Sequence, residues 1–234
     1  MCPVVILDDK AVQNFADRLK NPDYLIEGCR KFIERERRDS IYVAALSYAQ
    51  QNKDSIPRQA LAAEALLLSW NEAYYRGRKG ARWHLIPLVN GDLQEAFQAN
   101  SSALEALRET ELGKLTTKDL ESIREVFRTV ASKQSIGLTG ASKALNVVVP
   151  DVFVMWDTGI REAYHVLHGS RDIDRPSCYE NFIATCNEIG SALIANSERL
   201  VSQHPSFKQF GVRKSIAKMI DEVNYARFFL GEIW

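Results

Sequence analysis

Apolar residues recur every three or four positions along almost the whole chain, and that spacing predicts helix after helix. After Asp8 and Asp9, KAVQNFADRLK places Val12, Phe15, Ala16 and Leu19 on one stripe, and Asn-Pro-Asp at 21–23 ends it. Residues 23–38 continue with Leu25, Ile26, Cys29, Phe32 and Ile33 inward. Ser40 is placed to cap the next helix, IYVAALSYAQQNK, its hydroxyl meeting a free amide. Pro57 suits the first turn of PRQALAAEALLLSWNEAYYRG, which is apolar nearly all round and is therefore expected at the centre of the fold.

Two shorter helices are expected over 92–107, split near Asn100. TTKDLESIREVFRTVASK (116–133) is amphipathic, with Leu120, Ile123, Val126, Phe127 and Val130 on one side. Long helices over 178–203 and 212–230 complete the chain. VVVPDVFVMW is rich in β-branched residues, but its proline and short length predict a helix end plus a connector rather than a strand. No hairpin turn joins alternating segments, and no linker separates domains. The expected fold is all-α: one domain over 1–234, a bilobed helical bundle with a cleft between the lobes and a helical hairpin near residues 120–150.

Composition changes this picture little. Apolar residues make up 46% and charged residues 26% of the 234 positions, as in an ordinary globular protein with an ample core. No apolar run is long enough to cross a membrane, and the start, MCPVVILDDK, lacks the basic region of a signal peptide. Cys2, Cys29, Cys178 and Cys186 show no metal spacing and read as reduced thiols of a cytoplasmic protein. Thirty basic residues balance thirty acidic ones, which argues against a uniformly basic coat but leaves room for one basic face.

The chemistry gathers in GLTGASKALNVVVPDVFVMWDTGIREAY, residues 137–164. Gly137 and Gly140 allow a tight turn into a helix starting near Ser142, so that Lys143 lies at or just inside a helix N-terminus. Asp157 is expected to cap the following helix, TGIREAYHVLHG. A helix N-terminus disfavours a protonated amine. Two such termini facing one cleft, one offering an amine and the other a carboxylate, suit an amine nucleophile assisted by an acid.

This stretch resembles the helix-hairpin-helix DNA glycosylases. SKALNVVV is similar to the family's segment from its catalytic lysine onward, and VMWDTGIREA to its aspartate segment. The resemblance implies that the Lys143 amine attacks the sugar C1′, expels a damaged base and forms a Schiff base. It implies that Asp157 assists, and that backbone amides around Gly137, Gly140 and Ser142 hold a DNA phosphate, with Lys133 beside them. The expected function is a DNA repair glycosylase, bifunctional through lyase activity if Lys143 is the nucleophile. It would act as a monomer on double-stranded DNA carrying a damaged base, associated with the nucleoid. The alternative is a non-catalytic helical protein that binds nucleic acid or another protein.

Around the motif, WNEAYYRGRKGARWH (70–84) sets Arg76, Arg78, Lys79 and Arg82 beside Tyr74 and Tyr75, a pattern that can track phosphates. Trp156, next to Asp157, is core packing or a wall of the substrate pocket. His165 and His168 lie one turn apart without a fixed third ligand, so no metal and no cofactor is expected. Arg213, Lys214, Lys218, Asp221 and Glu222 read as salt-paired helix packing.

Overall fold

The computed structural model describes residues 9–36, 39–70, 91–168 and 176–231, and among them every regular element is helical. The all-α expectation is met. Helices α1 (Asp9–Leu19) and α2 (Pro22–Arg35) are divided at Asn21, whose side chain accepts from the Asp23 and Tyr24 amides while Pro22 opens the next turn. Val12, Phe15, Ala16 and Leu19 form the buried stripe of α1, as their spacing predicts. Helix α3 runs Asp39–Gln51 and α4 runs Ile56–Trp70. Ser40 lies inside α3 and is exposed, so it is not the expected cap. The helix already starts at Asp39, whose carboxylate is taken by Lys214 and Ser206.

Asn100 splits α5 (Asp92–Ala99) from α6 (Ser101–Leu107), its side-chain amide donating to the Ala96 carbonyl at 2.8 Å. Thr116 and Asp119 cap α7 (Thr117–Ala131) reciprocally, each side chain meeting the other's backbone amide. The turn 132–136 leads into α8 (Gly137–Val148), which packs back on α7 as a helical hairpin. Beyond it follow α9 (Thr158–His168), α10 (Pro176–Leu193), a 3-10 turn at Ile194–Asn196, α11 (Ser197–Gln203), α12 (Pro205–Phe210) and α13 (Ile216–Phe228). The single helix expected over 178–203 is thus broken by the 3-10 turn at Ile194–Asn196.

The central helix is α13 rather than α4. Burial runs unbroken from Ile216 to Asn224 along α13, which packs on α2, α9 and α10. Helix α4 leaves Leu61 and Leu68 more than half exposed. One apolar cluster extends from Val12 in α1 to Val223 in α13, and a smaller one joins Tyr42, Leu46, Leu66, Val147 and Met155. No described helix is long and apolar enough to cross a membrane.

Residues 149–157 form the connector expected from VVVPDVFVMW, and Val152 through Trp156 are all buried. Without strand partners, its buried backbone needs other hydrogen bonds. Side chains of two helices, α8 and α10, and of the α13 cap provide most of them. Ser215 Oγ donates to Pro150 O, Asn146 Nδ2 to Phe153 O, both at 2.5 Å, and Tyr179 Oη to Val154 O at 2.9 Å. Trp156 N donates to Ser142 Oγ at 2.9 Å, and Leu112 N to Asp151 O at 2.8 Å. The Leu112 turn is itself pressed against α10, where a Cβ on Gly113 would sit 2.7 Å from the Gly190 backbone. Glycine is required on both sides of that contact.

Candidate functional site

Lys143 and Asp157 arrive from opposite ends of the α8–connector unit. The Ser142–Trp156 hydrogen bond joins the residues just before each of them, so their backbones are neighbours despite the loop between. Asp157 caps α9 as expected: its Oδ1 accepts from Ile160 N at 3.2 Å and its carbonyl from Arg161 N. The placement expected for Lys143 is corrected. Helix α8 begins at Gly137, where the chain turns with φ +64°, and Lys143 lies well inside it. Gly137 alone makes the turn; Gly140 has no positive φ and is absorbed into the helix. The helix N-terminus expected to favour a neutral amine is therefore absent at Lys143. Lys143 and Asp157 are each 8% exposed. The Lys143 Nζ donates to the carbonyl of Trp70, the last residue of α4, at 3.3 Å, and lies 5.9 Å from that indole.

Two further expectations are corrected. Ser142 is fully buried and Gly140 is buried, so neither presents an amide to a phosphate; the Ser142 hydroxyl serves Thr139 O and Trp156 N instead. Trp156 is not a pocket wall. Its indole is enclosed by Phe127, Tyr179 and Phe182, with ring centroids 5.4–6.2 Å away, leaving no face for a base. Lys133 is drawn into an ion pair with Glu95 of α5 at 2.9 Å. Gly137 is partly exposed at the hairpin turn. Arg76, Arg78, Lys79 and Arg82, with Tyr74 and Tyr75, lie outside the described residues, as do the side chain of His168 and Cys2.

What the sequence reading missed lies across Trp70. The Lys218 ammonium sits among Tyr42, Trp70 and Phe32, 4.6, 4.8 and 5.1 Å from their ring centres, and pairs with Asp221. Lys143 and Lys218 therefore approach the same indole. Next to them, Lys214 donates to Asp39 at 2.5 Å and to Glu222 at 2.6 Å. His204 Nδ1 accepts from Ser206 N, so Nε2 carries the proton that bonds Glu222 at 2.8 Å. Lys214, Lys218, Glu222 and His204 have no solvent exposure at all. The salt pairing expected here exists, but in the core. A signal was available: Lys214, Lys218, Asp221 and Glu222 alternate with Ile216, Ala217, Met219, Ile220 and Val223, so a helix that buries the latter on all sides must bury the charges too.

Cys29, His204 and Glu222 bring donor atoms within 4.8 Å of one another, the best candidate metal set among the described residues. They do not fit an ion. Both imidazole nitrogens are engaged, both Glu222 oxygens are taken, and burial pushes the Cys29 thiol up, further from the thiolate a metal needs. Two lysines would also repel a cation.

Burial pushes the Asp221 carboxyl up to about 6; Lys218 pulls it down, and the negative charges of Glu222 and Asp157 add to the rise. Burial alone would lower Lys218, but Asp221, Glu222 and Asp39 raise it, so Lys218 keeps its charge and Asp221 is the partner that protonates. Burial opposes the ionisation of Glu222 as well, yet Lys214 and His204 hold it far below the usual range. The signs are therefore opposite. Asp221 binds its proton more tightly when folded, so its contribution is favourable in acid and is lost as pH rises from about 4 to about 6. Glu222 contributes above the usual glutamate range and loses that contribution only as pH falls. Melting temperature measured across pH 4–7 for wild type and Asp221→Asn should show the difference between the two proteins growing through that interval; parallel curves would mean Asp221 does not titrate there.

Comparison with protein-family models, curated proteins and solved structures finds no match for this chain. The class that the described residues define is an all-α protein, in which both Lys143 and Asp157 are buried.

Proposed function

We propose that this protein is a DNA glycosylase that excises a damaged base through Lys143, with Asp157 assisting. The observation that supports the reading is the Ser142–Trp156 bond, which ties together the residues just before a buried lysine and a helix-capping aspartate. In the proposed reaction the Lys143 nitrogen bonds to C1′ as the C1′–base bond breaks, the departing base taking the bonding electrons. The amine gives one proton to Asp157, which passes it to the departing base. The C1′–O4′ bond then breaks with its electrons on O4′, which takes the second amine proton and leaves an imine between Nζ and C1′. Asp157 also faces the positive charge that develops on the sugar. The target nucleotide would have to leave the duplex to reach so enclosed a site. Borohydride trapping on a panel of damaged duplexes tests the reading: a covalent adduct that maps to Lys143 supports it, and the absence of any adduct or base release across the panel refutes it.

The enclosure of Lys143 and Asp157 favours a second reading, a non-catalytic helical protein that binds nucleic acid or another protein, in which the pair only holds the fold. Arg76, Arg78, Lys79 and Arg82 are the proposed phosphate contacts in either DNA-binding version. Replacing all four with alanine should weaken duplex binding with little regard to sequence and flatten its salt dependence by roughly one unit of slope per lost contact. An unchanged salt slope removes these four residues from the interface.

A further inference from the structure

We propose that Ser142 is a positioning residue, whose hydroxyl fixes the register of the connector against α8 and so delivers the Asp157 cap beside Lys143. The inference rests on the Lys143–Asp157 reading above.

A helical serine commonly spends its proton on a carbonyl in the preceding turn, and Ser142 does so, donating to Thr139 O at 3.0 Å. That leaves the oxygen's lone pairs as acceptors within a fully buried stretch. The carbonyls of α8 are committed within the helix, so the hydroxyl is what α8 has to offer the Trp156 amide, 2.9 Å away. One turn on, Asn146 grips Phe153 O. Ser142 pairs with residue 156 and Asn146 with residue 153, so the connector runs antiparallel to α8 and is pinned at two points on one helical face. Two points set a register. The Asn146 point lies four residues before Asp157, whereas the Ser142 point lies one residue before it and one residue before Lys143 as well.

A slip of one residue along the connector would displace Asp157 by roughly 3.3 Å. Misplacement of about 1 Å in an active site can lower a rate on the order of 100-fold. Loss of the Ser142 bond should therefore act on chemistry through Asp157 and leave DNA affinity alone.

The test uses the full chain as Ser142→Ala and as Ser142→Cys, whose sulfur is a weaker acceptor of similar size. Amide hydrogen exchange is followed at Trp156, bonded to Ser142, and at Ile160, bonded to the Asp157 cap. In Ser142→Ala both amides should exchange at least about tenfold faster, and the rate of borohydride trapping should fall by at least about tenfold at unchanged duplex affinity. The cysteine variant should fall between alanine and wild type in each readout, and it carries the test if the alanine variant does not fold. Exchange that accelerates at Trp156 alone would overturn the proposal, since Ser142 would then satisfy one amide and position nothing. Trapping at the wild-type rate with both amides released would overturn it too. If wild type forms no adduct, the glycosylase reading falls, and Ile160 exchange alone decides whether Ser142 sets the cap.

Discussion

Lys143→Gln should abolish Schiff-base trapping while leaving a folded protein that still binds duplex DNA. Glutamine keeps a polar, hydrogen-bonding side chain near the Trp70 carbonyl that the lysine now serves. The bond to that carbonyl contributes roughly 1 kcal/mol net, so the melting temperature should fall by only a few degrees. The nucleophile, by contrast, has no substitute: Lys218, the other amine on the Trp70 indole, is held in its ion pair with Asp221. Asp157→Asn should be the companion result. Asparagine caps helices as well as aspartate does, so α9 keeps its start, yet an amide cannot take the amine's proton. Base release should drop by about 10²–10⁴, the usual contribution of one acid–base group. Base release at the wild-type rate in both variants, or a collapse in stability of Lys143→Gln, would show that the pair serves the fold alone.

The largest effect on stability is expected at Lys214. This side chain is fully buried and answers two carboxylates, Asp39 and Glu222, which join α3 to α13. Lys214→Met removes the charge and nearly keeps the volume, leaving both acids in the core without it. Removing one partner of a buried pair costs about 3–5 kcal/mol, which for a chain of this length lowers the melting temperature by roughly 10 °C or more. Arg213 is the control. Its bond to Glu198 is exposed on both sides, so Arg213→Ala should leave the melting curve unchanged. Equal small losses in the two variants would mean that the core acids adjust by taking up protons rather than by destabilising the fold.

Sequence periodicity made the outer helices legible because their apolar residues fall on one stripe. Val12, Phe15, Ala16 and Leu19 in α1 and Ile123, Val126, Phe127 and Val130 in α7 are buried as their spacing demands. The same rule fails for α13, whose buried residues surround the axis and include charges. There the cost of burying Lys214 and Lys218 is met by the nearby Asp221 and Glu222 and by Asp39 of α3, and only the Asp39 pairing is long-range and absent from the local pattern. The Asp157 cap was legible from its place before a helical run. The start of α8 was not, because Gly140 is as compatible with the interior of a helix as with a turn, and only Gly137 took the left-handed conformation. The part played by Ser142 depends on residue 156 folding back across α8, which single-sequence spacing does not contain.

The connector is gripped mainly by its main chain: the carbonyls of Pro150, Asp151, Phe153 and Val154 and the amide of Trp156 each answer a group from elsewhere in the fold. Main-chain groups do not change when one apolar side chain replaces another, but their order along the chain changes with every insertion or deletion. The segment thus acts as a gauge of fixed length. Among descendants of this sequence, the apolar letters between Lys143 and Asp157 can exchange with others of matching volume, while the number of letters between them is the quantity that selection would hold.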